Sequence, residues 1–70
     1  MLWWFEREGL KTQVEVLQLS SSEYELHVVD ADGVEHIEKF TDAVALAKRQ
    51  RQIQEQLVSQ GWKGTAKWLG

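Results

Sequence analysis

The feature of this sequence that most constrains its fold is a short alternating segment followed by a turn sequence. Polar and apolar residues alternate strictly from Glu23 to Val28, which is the pattern of a strand with one buried face. The next residues, Asp30-Ala31-Asp32-Gly33, are typical of a hairpin turn, because Asp suits its first position and Gly accepts a positive φ. The residues from Val34 to Phe40 then predict the return strand of an antiparallel hairpin.

Two further strands are predicted before this hairpin. The segment from Leu2 to Glu8 is aromatic and then charged, and Val14 and Val16 alternate with polar neighbours. Leu17 and Leu19 continue on the opposite phase. Either a bulge near Val16–Leu17 or a strand covered on both faces would explain this change of phase.

A helix is predicted from about residue 42 to residue 60. Thr41 is placed to act as its N-cap, and Asp42 would lie in the first turn, where a negative charge favours the helix dipole. At 100° per residue the apolar side chains share one face, namely Ala43, Leu46, Ala47, Ile53, Leu57 and Val58. Gly61 would end the helix in a left-handed conformation, with Trp62 packing back on Leu57.

These elements predict one small α+β domain over residues 1–70, a four-stranded antiparallel β-meander followed by one amphipathic α-helix packed on one face. The predicted strands cover about residues 2–8, 12–19, 22–30 and 34–40, and the tail covers residues 61–70. The residues of the tail favour neither a short added strand nor a frayed end over the other. This order of elements is similar to that of some single-stranded nucleic-acid-binding domains.

The composition excludes several classes of chemistry. The chain contains no Cys, which removes disulfides, thiol catalysis and thiolate metal sites. Its longest apolar run, from Met1 to Phe5, is far shorter than the roughly 20 residues that span a bilayer, and it lacks the basic leader of a signal peptide. We therefore expect a cytoplasmic protein with no membrane association and no cofactor.

The candidate catalytic and metal-binding residues are few. His27 and His36 lie on the two arms of the hairpin. They would face each other if the loop has four residues, and lie on opposite faces if it has three and a glycine bulge. Two His without a third ligand predict surface residues rather than a metal site. The segment Asp30–Glu35 lacks the distal Glu of a calcium loop, and Ser20–Ser22 has no associated His or Asp. We expect no enzyme activity.

Tryptophan and charge suggest one alternative function, the binding of single-stranded nucleic acid. The chain has four Trp, of which Trp3 and Trp4 are adjacent and must point to opposite faces of a strand. Residues 1–42 hold ten acidic and three basic side chains, whereas residues 43–70 hold one acidic and five basic ones. An aromatic and basic tail can stack on bases and contact phosphates. The candidate contacts are Lys48, Arg49, Arg51, Lys63, Lys67, Trp62 and Trp68.

The favoured hypothesis is a small protein-interaction module that forms a homodimer. Four strands make a sheet about 19 Å wide, and one helix with its side chains is about 10–12 Å across. One sheet face would therefore remain bare, although apolar residues occur on both phases of the strands. Two Gln fall inside the apolar helix face, either at the edge of a contact surface or at a half-exposed margin. The candidate partner contacts are Trp4, Leu17, Leu19, Gln50 and Gln54.

Overall fold

The computed structural model of the chain describes residues 2–65 and shows an α+β fold. Its elements are β1 (Leu2–Arg7), β2 (Leu10–Ser20), β3 (Glu23–Val29), β4 (Glu35–Phe40), α1 (Ala43–Ser59) and β5 (Lys63–Thr65). All neighbouring strands are antiparallel, in the order β4-β3-β2-β1-β5. The predicted meander and helix are confirmed. The tail adds a short fifth strand beside β1, and its residues 66–70 lie outside the described part.

Two hairpin turns use left-handed residues. Glu8 and Gly9 have φ values of 51° and 78°, as the two-residue turn between β1 and β2 requires. In the turn between β3 and β4, Gly33 has a φ of 82° and its N–H donates to the Asp30 carbonyl at 2.9 Å. The Asp30 N–H donates to the Val34 carbonyl at 3.1 Å. This is the three-residue loop with a glycine bulge.

The change of phase in β2 does not come from a bulge near Val16–Leu17. The pairing of β2 with β3 is regular from Gln13 to Gln18, and the irregularity lies between Gln18 and Ser20. Val16 is paired with Leu26, which lies in the core, so Leu17 points to the other face. The change of phase therefore reflects apolar side chains on both faces of one regular strand.

The core lies between α1 and one face of the sheet. Its buried apolar residues are Trp3, Phe5, Val14, Leu26, Leu46, Ile53 and Trp62. The helix contacts this core through Leu46, Ile53 and the half-buried Leu57, a narrower stripe than the predicted face. Ala43 and Ala47 are exposed, and Val58 is 56% exposed. A straight helix on a sheet buries a single line of positions, and these three side chains lie to one side of it.

The N-cap of α1 is Asp42 and not Thr41. Asp42 has extended backbone angles, φ −126° and ψ 122°. Its Oδ1 accepts a hydrogen bond from the Val44 N–H at 2.9 Å, and its carbonyl accepts one from the Leu46 N–H at 3.0 Å. The prediction was wrong by one position, because Asp and Thr are both good caps and the backbone decides between neighbours.

The C-terminal end of α1 is the predicted glycine cap. Gly61 has a φ of 91°, and its N–H donates to the Val58 carbonyl at 3.0 Å. The Trp62 N–H donates to the Leu57 carbonyl, also at 3.0 Å. These two bonds define a Schellman motif. They turn the chain so that Trp62 enters the core and β5 can reach β1.

Candidate functional site

The sheet has one face that α1 does not cover, here called the open face. It is formed by the residues that alternate with the core positions along each strand. Its side chains are those of Leu2, Trp4, Glu6, Lys11, Gln13, Glu15, Leu17, Glu25, His27, Val29, Glu35, Ile37, Lys39 and Lys63. Apolar and charged residues are mixed on this surface, so it is not a continuous apolar patch.

The two adjacent tryptophans lie on opposite faces of β1, as the sequence predicts. Trp3 is 8% exposed and belongs to the core. Trp4 is half-buried on the open face, and the Nζ of Lys11 lies 5.4 Å from the centre of its ring. This distance is within the range of a cation–π interaction. Part of the exposed indole is therefore already covered by a charged side chain.

His27 forms a small charged group at the centre of the open face. Its Nε2 lies 2.9 Å from the Glu25 Oε1, and its Nδ1 lies 3.6 Å from the Glu35 Oε2. Glu15 is its partner on β2. The hydrogen bond to the Glu25 carboxylate raises the pKa of His27 above its usual value, against the opposing effect of burial, and Glu35 raises it further. Protonation of His27 therefore offsets acidic charge at this position.

The two histidines do not form a pair. His27 is aligned with Ile37 and His36 with Val28, which places the histidines on opposite faces, as the three-residue loop requires. Over residues 2–65 no group of three or more His, Cys, Asp or Glu side chains is arranged to hold a metal ion. The arrangement of His27 thus provides a charge contact within the sheet.

Strand β4 is an open edge of the sheet. It is the last strand in the sheet order, with no described strand on its outer side. The hydrogen bond between Asp30 and Val34 identifies that pair as a bonded one, and bonded pairs alternate along an antiparallel ladder. The N–H and C=O groups of Glu35, Ile37 and Lys39 therefore point outward. We call this outer side, with the adjoining Val34, the β4 edge.

In the described part of the chain, the β4 edge has no bulge, Pro or covering segment, and its protection against strand addition consists of the charged side chains of Glu35, Glu38 and Lys39. Its pairing with β3 is regular from Tyr24↔Phe40 to Val29↔Glu35, and the chain contains no Pro. Val34 is 51% exposed and Ile37 is 49% exposed. Natural edges are often blocked by a bulge, a Pro or a covering segment. Sequence reasoning missed this site, although the strand that ends a meander is the natural place to look for a free edge.

The candidate partner contacts are distributed over three places. Trp4 and Leu17 lie on the open face, and Leu19 is 55% exposed at the far end of β2. Gln50 is half-buried and Gln54 is exposed. These two glutamines line a groove of about 400 Å³ between α1 and the strands β1 and β5, together with Trp3, Phe5, Arg51, Val58 and Gly64. The five residues do not form one surface.

Two of the candidate nucleic-acid contacts are engaged inside the domain. The Arg49 Nε donates to both carboxylate oxygens of Glu38, at 2.9 and 3.1 Å. Trp62 is 7% exposed, and the guanidinium of Arg7 lies 4.9 Å from the centre of its ring. Base stacking needs an accessible aromatic face. Neither side chain is presented to a nucleic acid.

The remaining candidate nucleic-acid contacts are separated in space. Lys48 and Arg51 are exposed on α1, whereas Lys63 is aligned with Glu6 and belongs to the open face. Lys67 and Trp68 lie outside the described residues. The basic groups of residues 2–65 therefore do not form a continuous positive track along which a phosphate backbone would bind.

Residues 2–65 include no helix that is both long and apolar enough to cross a bilayer. No protein-family model, curated protein sequence or solved structure gives a significant match to this chain.

Proposed function

We propose that this chain is a small, non-enzymatic interaction module that associates with a second copy of itself. The observation that carries the proposal is the β4 edge. It presents outward main-chain groups at Glu35, Ile37 and Lys39 and exposed apolar side chains at Val34 and Ile37. Strand addition at such an edge gives affinity through main-chain hydrogen bonds and specificity through alternate side chains.

The small size of the domain supports the same proposal. A chain of this length buries only about 60% of the surface that its unfolded form exposes, so its stability is modest. Pairing with a second copy is one of the ways in which small domains gain stability. A cytoplasmic location is part of the proposal, because a chain without cysteine needs no oxidising compartment.

The alternative of single-stranded nucleic-acid binding gains no support from the geometry. Arg49 is paired with Glu38, Trp62 is buried, and the exposed Lys63 lies on a different face from Lys48. The net charge of the chain is −3 at pH 7. Self-association needs none of these residues to be rearranged.

Sedimentation equilibrium tests the proposed function directly. Over low to high micromolar concentrations, we expect the average mass to rise from that of one chain towards that of two. A single paired strand buries less area than a permanent interface, so the dimer should be weak and reversible. A mass that stays at one chain across the whole range would overturn the proposal.

A further inference from the structure

The residues of β4 and the adjoining Val34 are complementary to themselves when read in the reverse direction. The segment reads Val34-Glu35-His36-Ile37-Glu38-Lys39-Phe40. Resting on the proposed self-association, we infer that two copies pair their β4 strands antiparallel, with Ile37 opposite the partner's Ile37. The two sheets then form one continuous sheet about a two-fold axis perpendicular to it.

Main-chain geometry restricts the registers that are available. Only Glu35, Ile37 and Lys39 direct their N–H and C=O groups outward. A bonded antiparallel pairing must therefore place these residues opposite one another. In the register centred on Ile37, all three residues of each strand meet outward-facing residues of the other, and each opposing pair exchanges both of its hydrogen bonds. A shift by one residue would place these three residues opposite residues whose N–H and C=O groups point towards β3. The hydrogen bonds between the two β4 strands would then be lost.

Side-chain chemistry selects among the permitted registers. In the register centred on Ile37, the open face brings Glu35 opposite the partner's Lys39 and Ile37 opposite the partner's Ile37. Opposite charges and apolar pairs are both favourable in directly opposed positions. Glu35 and Lys39 are exposed, so neither side chain has to leave a buried site to make this contact.

The face that carries α1 is complementary in the same register. Val34 lies opposite the partner's Phe40, and His36 lies opposite the partner's Glu38. His36 is largely exposed, with 63% of its side chain accessible, and its Nε2 lies 3.6 Å from the Asp30 Oδ2 of its own chain. Glu38 is oriented by Arg49 through hydrogen bonds at 2.9 and 3.1 Å, so its position is fixed before a partner arrives. No like charges are opposed on either face.

The neighbouring registers that keep the main-chain bonds are worse. A shift by two residues in one direction places Glu38 opposite the partner's Glu38, and like charges in direct opposition are unfavourable. A shift by two residues in the other direction places His36 opposite the partner's His36 and Glu35 opposite the partner's Ile37. Both shifts also shorten the paired segment. The register centred on Ile37 is therefore the most favourable one.

Stacking of the open faces is a less favourable way to form the dimer. That surface holds Glu15, Glu25 and Glu35 around His27, and Lys11 covers part of Trp4. Face-to-face contact would bury these charged groups against those of a second copy, which costs free energy unless each is paired. Edge pairing engages only Glu35 of this charged group, opposite the partner's Lys39, and leaves Glu15, Glu25 and His27 as they are in the single chain.

A single cysteine tests the register, because the chain has no Cys of its own. In the proposed dimer the two Cα atoms at position 37 are about 5.5 Å apart, as in any bonded antiparallel pair, and this distance suits a disulfide. Under mild oxidation, Ile37→Cys should form a covalent dimer rapidly. Lys39→Cys is the matched control. In the proposed dimer the two Cα atoms at position 39 lie about 13 Å apart along the strands, so this variant should cross-link slowly.

Charge reversal provides a second test that does not depend on oxidation. In the dimer, Lys39→Glu would place a glutamate opposite the partner's Glu35 at each end of the paired segment. We expect the dissociation constant to rise about tenfold. The double variant Glu35→Lys/Lys39→Glu exchanges the two charges, and it should restore association towards the original value. Both positions are exposed, but Glu35 lies 3.6 Å from the His27 ring and Lys39 is aligned with Glu25, so the thermal unfolding of each variant is measured beside its association.

The outcomes separate this inference from the proposed function. The chain could form a dimer by mass while Ile37→Cys cross-links no faster than Lys39→Cys and the double variant fails to restore association. That result would overturn the β4 register and leave the proposed self-association unaffected. A chain that stays monomeric at every concentration overturns the proposed function and the inference with it. Rapid cross-linking at position 37 together with rescue by charge exchange supports both.

Discussion

At the scale of the residue, His27 is the side chain whose ionisation is most closely tied to its neighbours. It lies 2.9 Å from the Glu25 carboxylate and 3.6 Å from that of Glu35. The sequence predicts His27 as an ordinary surface residue of a strand. The alternation already places Glu25 on the same face as His27, two residues away on β3. The contact with Glu35 has no such signal, because Glu35 meets His27 only when β3 and β4 take up their register.

The raised pKa of His27 predicts that part of the stability depends on pH. Because the folded pKa lies above the unfolded value of about 6.5, the stabilisation is fully present below about pH 6.5 and is lost as the pH rises through the folded pKa. Urea unfolding midpoints measured from acidic to mildly alkaline pH should show this loss. His27→Gln should abolish this component, and Glu25→Gln should reduce it.

The matched control for this prediction is Glu23→Gln. Glu23 lies on the same strand as Glu25 but makes no ion pair with His27, so its removal should leave the pH dependence intact. If His27→Gln retains the full pH dependence of the original chain, the contact with Glu25 is not its source.

At the scale of the element, local signals determined most of what could be predicted. The alternation before Asp30, the turn ending in Gly33 and the cap at Gly61 each depend on neighbouring residues, and each is found where the sequence places it. Two features differ from the prediction. The N-cap is Asp42 and not Thr41, because the local backbone decides between two good caps. The packing line of α1 excludes Val58, and this line depends on contacts between the helix and the sheet.

The corrected cap gives a second prediction. Asp42→Ala removes the acceptor of the Val44 N–H and should lower the free energy of unfolding by about 0.5–2 kcal/mol. Thr41→Ala is the control from the neighbouring position, and it should change stability by less than about 0.5 kcal/mol. Thermal or urea unfolding of both variants measures the difference. Equal losses at the two positions would contradict the assignment of Asp42 as the cap.

At the scale of the whole molecule, the arrangement that could not be predicted is the joining of β5 to β1. Phe5 is aligned with Gly64, and a Cβ atom at position 64 would lie only 3.0 Å from the Phe5 ring. A three-residue strand has too little sequence to show a pattern. Its place depends on the turn at Gly61 and on a free side of β1, both of which are properties of the assembled fold.

The distribution of charge over residues 2–65 predicts weak or absent binding of nucleic acid. Basic groups within residues 2–65 are divided between α1 and the open face, and Arg49 is paired with Glu38. Fluorescence anisotropy with a single-stranded oligonucleotide at low salt should therefore show no saturable binding. Tight binding that weakens steeply with salt and is lost in Lys48→Gln/Arg51→Gln would contradict this expectation and favour the alternative function.

The position of β1 between β2 and β5 has a consequence for the folding of the chain. β1 and β5 are the first and last described strands in the sequence, so their pairing closes a long loop and is entropically costly. In any state in which β5 is not yet paired, the outer side of β1 has no partner among the described strands. Such a state has an additional open edge, where it can pair with a wrong neighbour. The arrival of β5 closes that edge, and the only long edge left on the described sheet is β4.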